Sequence, residues 1–318
     1  MTKPSPLQPF LTQQGYLLLD GGLATELEQR GFDLNTPLWS AQILQSQPEA
    51  IKAVHRAYLE AGADCLITAS YQASFLGFQS QGFSAAETKM LLQRSVDLAG
   101  EARSDYLAQA DAERADRLPP LIAASIGPYG AYLADGSEYR GNYGISNAQL
   151  RDFHQARWEI LAASGADLLA CETIPSQQEA EVLLALLEET PDVYAWLSFS
   201  CRDEQHIGEG TPLRDCARLL AEHERVVAIG INCTAPQHIP ALIQEVAAAA
   251  PAKPIIVYPN SGEEYHSHDK SWSGDRDAVI FSEAAKSWHA AGATVIGGCC
   301  RTGPGHIQSI CTVLKKNF

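Results

Sequence analysis

The sequence predicts an α/β fold, a single (βα)8 barrel of the TIM type, and three observations point to it. Eight short apolar runs recur along 318 residues, with segments of helical period between them. The runs are apolar at nearly every position, as strands of a parallel sheet covered on both faces must be. The segments AGADCLI at 61, SGADLLA at 164 and AGATVIG at 291 repeat one step, in which a helix ends near glycine and the chain turns into a strand. A doubly wound sheet is the alternative arrangement of the same units. No Pro-, Gly- or Ser-rich linker divides the chain, and the first and last strands lie at its opposite ends, as closure requires. Residues 1–318 therefore read as one domain, somewhat longer than the roughly 250 residues typical of such barrels.

The elements follow in order. YLLLD (16–20) is the first strand, and Asp20, Gly21 and Gly22 stand at its end. PEAIKAVHRAYLEAG is a helix: Pro48 suits its first turn, Ile51, Val54, Tyr58 and Leu59 form one apolar stripe, and Gly62 ends it. CLITA (65–69) is the second strand, with Tyr71 following it in TASYQAS. Ser84 with Glu87 has the spacing of a capping box and opens a helix before LIAAS (121–125), the third strand. The tract after that strand is rich in glycine and holds Tyr129, Tyr132, Tyr139 and Tyr143, a loop long enough to be functional. Ser146 with Gln149 and Ser176 with Glu179 repeat the capping-box spacing on either side of LLACE (168–172), the fourth strand. VYAWLSFS (193–200), VVAIGIN (226–232), PIIVY (254–258) and TVIGG (294–298) complete the eight.

Charge narrows the partners. Twenty-three basic against thirty-eight acidic residues give a formal net charge of −15, which disfavours nucleic acid and anionic membranes and favours cationic ligands. The amino-terminal MTKPSPLQPFLTQQG mixes prolines and polar residues where a secretion signal needs an apolar run, and no stretch approaches the roughly 20 apolar residues of a membrane span. A cytoplasmic location is expected. In that reducing setting the eight cysteines read as buried thiols, metal ligands or nucleophiles rather than a disulfide framework.

In a barrel of this type the active site lies at the carboxyl ends of the strands, so position becomes evidence. Asp20 ends strand one, Glu172 strand four, Cys233 follows strand six, and Cys299 and Cys300 follow strand eight. Singly, each has a plain explanation: a turn former, a salt-bridge partner, a core thiol. Their shared rim is what promotes them. Vicinal cysteines cannot both face the interior of a continuing strand, so the strand should break there, with Gly297 and Gly298 supplying backbone freedom. A vicinal disulfide is the competing reading of that pair. Three thiolates around a soft divalent ion describe Zn²⁺ with one position left for substrate. Such a centre carries net negative charge, which suits an incoming sulfur better than the generation of hydroxide. His266 and His268 offer an HxH pair as rival ligands for a zinc-dependent hydrolase barrel, but they fall in a polar loop and read as solvated side chains. Cys201 ends strand five, while Cys65 and Cys171 fall inside strands and read as core.

From LLLDGGLATELEQRG through LITASYQASFLGF, SIGPYGAYLADGSEYRGNY, LLACETIPS, GINCT and YPNSGE to GGCCRTGP, the chain resembles the homocysteine S-methyltransferase family. The GAYLADGSEYRG tract and YPNSGE most resemble its free-standing branch that uses S-methylmethionine. The resemblance implies a zinc-dependent barrel transferring a methyl group from S-methylmethionine, with S-adenosylmethionine as a second candidate donor, to homocysteine to form methionine. It makes Cys233, Cys299 and Cys300 the zinc ligands, Asp20 and Glu172 the carboxylates for the homocysteine ammonium, and the backbone of Gly21 and Gly22 a surface against the substrate. Tyr71, whose ring face suits a sulfonium cation, and Asn260 and Ser261, after strand seven, complete the expected substrate contacts. A zinc- or thiol-binding protein of the same fold without transfer activity is the alternative. Only residues 301–318 follow the cysteine pair, too few for a dimerisation arm, so a monomer is expected.

Overall fold

All eight apolar runs form strands of one parallel sheet. In the computed structural model, which describes residues 4–34, 41–109, 117–266, 271–273 and 277–315, the strands are β1 (Leu17–Leu18), β2 (Cys65–Ile67), β3 (Leu121–Ile126), β4 (Leu168–Ile174), β5 (Ala195–Phe199), β6 (Val226–Asn232), β7 (Ile255–Tyr258) and β8 (Ala293–Ile296). Each pairs with its neighbour in chain order, and β1 pairs with β8. The ring is completed between β1 and β2 by the bridge Leu19↔Cys65 and by the Asp20 N–H, which donates to the Cys65 carbonyl at 3.1 Å. Contact of β1 with both β2 and β8 rules out the doubly wound alternative, whose outer strands have a free edge.

Strand alternation divides the core into two layers. Leu17, Cys65, Ala123, Leu168, Trp196 and Val295 pack inside the barrel, whereas Leu18, Leu66, Leu169, Leu197, Ile229 and Val257 pack between sheet and helices. Cys65 and Cys171 are buried in these layers, as their positions within strands predict. Leu7 and Phe10, beside and within the helix Gln8–Gln14, join the inner layer next to Leu168 and Val227 at the amino ends of strands, and so plug that end of the barrel. Gly230 in β6 is a packing glycine, because a Cβ there would lie 1.8 Å from the Ile256 carbonyl oxygen on β7.

The helix Pro48–Ala61 buries Ile51, Val54, Tyr58 and Leu59 and ends at Gly62 with φ 109°, a left-handed conformation that favours glycine. Ser84 and Ser146 open helices with complete capping boxes. The third box is incomplete. Ser176 Oγ accepts the Glu179 N–H at 3.2 Å, but the Glu179 side chain turns into the protein instead of back to the cap. Glu264–His266 and Ser271–Ser273 form a separate antiparallel hairpin that holds the His266 backbone, and His268 lies outside the described residues. No helix among the described residues is long and apolar enough to cross a membrane.

Candidate metal centre and active site

The cysteines meet because two strands end differently. After Asn232 the chain enters the left-handed region at Cys233, φ 48°, with the Cys233 N–H still donating to the Tyr258 carbonyl at 3.2 Å. This bend is unfavourable for a side-chain-bearing residue and lifts the Cys233 thiol out of the strand direction. Beyond β8, Gly297 and Gly298 serve a different purpose from the one expected. Neither has positive φ, and the left-handed residue of this segment is Arg301, φ 67°. A Cβ on Gly297 would lie 2.6 Å from Leu19 Cβ, and one on Gly298 2.4 Å from Thr302 Oγ1, so the glycines permit close approach to β1 and the following turn. That turn is closed on the Cys299 carbonyl, which accepts from the Thr302 hydroxyl at 2.7 Å and the Thr302 N–H at 3.2 Å.

The three sulfurs lie within 4.8 Å of one another, with Cys233 and Cys300 separated by 3.6 Å. A tetrahedral ion with metal–sulfur bonds of about 2.3 Å sets its sulfurs about 3.8 Å apart, so the triad fits a divalent metal with little movement. All three stand as free thiols in this structure, with no disulfide between Cys299 and Cys300. Hydrogen bonds from Cys233 and Cys299 hold the Cys300 thiol well below its ordinary value, so one sulfur of the trio is already disposed to be a thiolate. Among the described residues no other group of His, Cys, Asp and Glu is gathered in this way, and Cys201 stands apart.

Two carboxylates flank the triad. Asp20 Oδ2 accepts the Ile67 N–H at 2.9 Å, while its buried Oδ1 has no hydrogen-bond partner among the described residues. Glu172 accepts from Ser125 Oγ and is 6 % exposed. Its aim depends on Thr173, whose φ of 60° breaks the register of β4 against β5. Asn232 holds that kink: its Oδ1 accepts the Thr173 N–H and its Nδ2 donates to Thr173 Oγ1, both at 2.7 Å. Burial pushes the Glu172 carboxyl up to about 7 and that of Asp20 well above its usual range, with the charge of Glu172 adding to the rise at Asp20. Each is therefore a carboxylate in want of a cation.

The three cysteines and Glu172 border one cavity of about 630 Å³, lined also by Gly21, Gly22 and Tyr71 among others, whereas Asp20 is not among its lining residues and directly precedes Gly21 in the chain. Residues 17–314 match the family model described as homocysteine S-methyltransferase. The chain is 53% identical over 306 residues to homocysteine S-methyltransferase YbgG of Bacillus subtilis, covering 96% of each. The solved homocysteine methyltransferase MmuM of Escherichia coli superposes with TM-scores of 0.88 in its oxidized form, at 45% identity over 98% of this chain and 100% of that one, and 0.86 in its metallated form, at 47% identity over 97% and 99%. The chain belongs to the homocysteine S-methyltransferase family.

The remaining expected contacts divide. Gly21 lines the cavity, and it lets the backbone approach Tyr58 and Thr302 closely, since a Cβ there would meet the Tyr58 ring at 3.0 Å and Thr302 Oγ1 at 2.9 Å. The Gly22 N–H, expected to face the substrate, instead donates to the Thr302 carbonyl at 3.0 Å. Tyr71 lines the cavity. Asn260 and Ser261 are not among its lining residues: the Asn260 N–H donates to the Thr234 carbonyl and the Ser261 N–H to the Cys300 carbonyl, both at 3.1 Å, so their backbones brace the ligand loops of this family member.

Of the four loop tyrosines only Tyr139 lines the cavity, with its hydroxyl 3.2 Å from Cys233 Sγ. Tyr129 and Tyr132 pack on Phe153, and Tyr143 packs on Tyr129. A buried network beneath them fastens the loop. Glu179 Oε1 accepts the Tyr129 N–H at 2.6 Å and lies 2.8 Å from His154 Nε2, while Oε2 accepts the Tyr143 hydroxyl at 3.0 Å. Arg157 donates to the Gly127 carbonyl and, at 2.8 Å, to His154 Nδ1. Burial lowers His154 to about 4, so it is a neutral imidazole with its proton on Nε2, bridging a cation and a carboxylate. This use of the predicted cap residue was hidden in the sequence, because Glu179 has ordinary capping-box spacing. Glu138 and Arg301 also line the cavity, and their only sequence signal was proximity to Tyr139 and to the cysteine pair.

Proposed function

We propose that this homocysteine S-methyltransferase takes its methyl group from S-methylmethionine, holds one zinc ion on Cys233, Cys299 and Cys300, and forms two methionines per turnover. The observation that carries the reading is a three-thiol metal site that shares one cavity with the buried Glu172, with the buried Asp20 at the neighbouring strand end offering an oxygen that has no hydrogen-bond partner among the described residues. A thiol-bearing amino acid answers both needs at once. Zinc bound there supplies the Lewis acidity that keeps a fourth sulfur deprotonated near neutral pH. Asp20 and Glu172 take the homocysteine ammonium, and its charge restores to Glu172 the ionisation that burial opposes.

The cavity wall then receives the donor. Its charged residues are Glu28, Asp33, Asp135, Glu138 and Glu172 against Arg301, a balance that draws in a sulfonium and not an anion. Tyr71 and Tyr139 offer ring surface to that cation. In the transfer, the homocysteine sulfur forms a bond to the methyl carbon as the bond from that carbon to the sulfonium sulfur breaks. The electron pair goes to the departing sulfur, which leaves as a neutral thioether. No base acts at the methyl group, and the lost charge weakens the hold of the acidic wall on the product. Asn260 and Ser261 act through the loops they brace. A single domain working as a cytoplasmic monomer, with no nucleic-acid or membrane partner, completes the reading.

The test is a donor panel with zinc measured on the same sample. One zinc per chain is expected, with methionine formed from homocysteine and S-methylmethionine without an organic cofactor, more slowly from S-adenosylmethionine, and not from betaine or methyltetrahydrofolate. Label in the transferable methyl should appear in the methionine derived from homocysteine. Turnover with betaine but not S-methylmethionine overturns the donor assignment.

A further inference from the structure

The homocysteine reading uses Asp20 and Glu172 and leaves one half-buried acid of the cavity without a task. Among the remaining acidic lining residues, Asp33 is exposed, the Asp135 side chain is 56% exposed beside Arg140, and that of Glu28 is 47% exposed beside Arg301. Glu138 differs: its Oε2 is buried and makes no hydrogen bond among the described residues.

The backbone holds Glu138 in place. It is the middle residue of the short 3-10 helix Ser137–Tyr139, and its carbonyl accepts the Ser200 hydroxyl at 2.9 Å. Gly130 presses against it so closely that a Cβ there would lie 2.4 Å from the Glu138 nitrogen. The next residue, Tyr139, reaches Cys233 Sγ, and the Cys233 sulfur is the neighbouring charge that most raises the Glu138 carboxyl, after burial. Asp20, by contrast, responds to Glu172. The cavity thus has two acidic stations, one formed by strand ends and one by the loop after β3. A fixed, buried carboxylate oxygen without a donor is costly to keep charged, and a cationic donor that fills the gap removes that cost.

We propose that Glu138 recognises the methyl donor, its free oxygen receiving the α-ammonium group of an amino-acid sulfonium. This rests on the reading that the donor is such a sulfonium, and it adds the residue that distinguishes an amino-acid donor from a simple one. The ammonium is the better assignment than the sulfonium. A carboxylate on the sulfonium would hold a charge that disappears during transfer and so oppose the reaction, whereas the ammonium keeps its charge throughout.

The test compares S-methylmethionine with dimethyl(3-carboxypropyl)sulfonium, the same molecule without its ammonium. In Glu138→Gln, KM for S-methylmethionine should rise at least tenfold, and equilibrium binding of labelled S-methylmethionine should weaken equally. KM for homocysteine and zinc content should not change. The deaminated donor should serve wild type and variant alike. Glu138→Asp, which keeps the charge and shortens its reach, should fall between the two. Unchanged binding of S-methylmethionine in Glu138→Gln overturns the assignment, as does an equal loss with both donors. Failure of the wild-type protein to use S-methylmethionine refutes the donor reading itself and this inference with it.

Discussion

Replacing Glu172 with glutamine should make the metal-free protein more stable at alkaline pH while weakening its hold on homocysteine. Burial raises this carboxyl from an ordinary 4.5 to about 7, despite the hydrogen bonds of Ser125 and Tyr258 that favour its charged form. A shift of that size corresponds to about 3 kcal/mol. The sign follows from proton binding. Between pH 4.5 and 7 the folded chain holds a proton that the unfolded chain has released, so stability falls as pH rises through this window. Above about 7 the cost of a buried, uncompensated carboxylate is complete, and below 4.5 it is absent. Glutamine removes the charge, retains an oxygen to accept from Ser125, and relieves Asp20 of a like charge. Guanidinium unfolding of chelator-treated wild type and Glu172→Gln should therefore differ by up to about 3 kcal/mol in favour of the variant at pH 8.5, and by little at pH 4.5. The KM for homocysteine should rise in the same variant. A variant less stable than wild type at pH 8.5, or a gain that persists unchanged into acid, would refute the reasoning.

The metal and the loop give two further expectations. Cys233→Ser should lose most of the bound zinc and nearly all activity, while His266→Ala with His268→Ala should lose neither; full zinc occupancy in Cys233→Ser, read by metal analysis, removes that cysteine from the ligand set. Glu179→Gln leaves Arg157 buried without its counter-charge, and should cost about 3–5 kcal/mol in denaturant unfolding and open residues 127–144 to proteolysis; unchanged stability and cleavage would show that the network does not hold the loop.

Much of this protein was legible without its structure, because the properties concerned are local. Whether a run such as LLACE is apolar on both faces, or whether Ser84 and Ser146 can cap a helix, depends on a few consecutive residues. Strand order then places Asp20, Glu172 and the three cysteines on one rim, since parallel strands in a barrel all end on the same side. Tertiary structure decided the questions in which a residue had more than one partner within reach. Glu179 had the spacing to complete a cap but turned to Tyr129, His154 and Tyr143, because three donors in a buried site hold a carboxylate better than one cap N–H. Gly297 and Gly298 have the sequence of a flexible break but are points of close contact, which only the distance to Leu19 and Thr302 reveals. Glu138 has no sequence signal beyond its place beside Tyr139, and its meaning lies in an oxygen that the fold buries with no hydrogen-bond partner among the described residues. Local chemistry sets what each side chain is able to do, and burial across the chain selects among those options, since the energy of a polar contact depends on what else surrounds it.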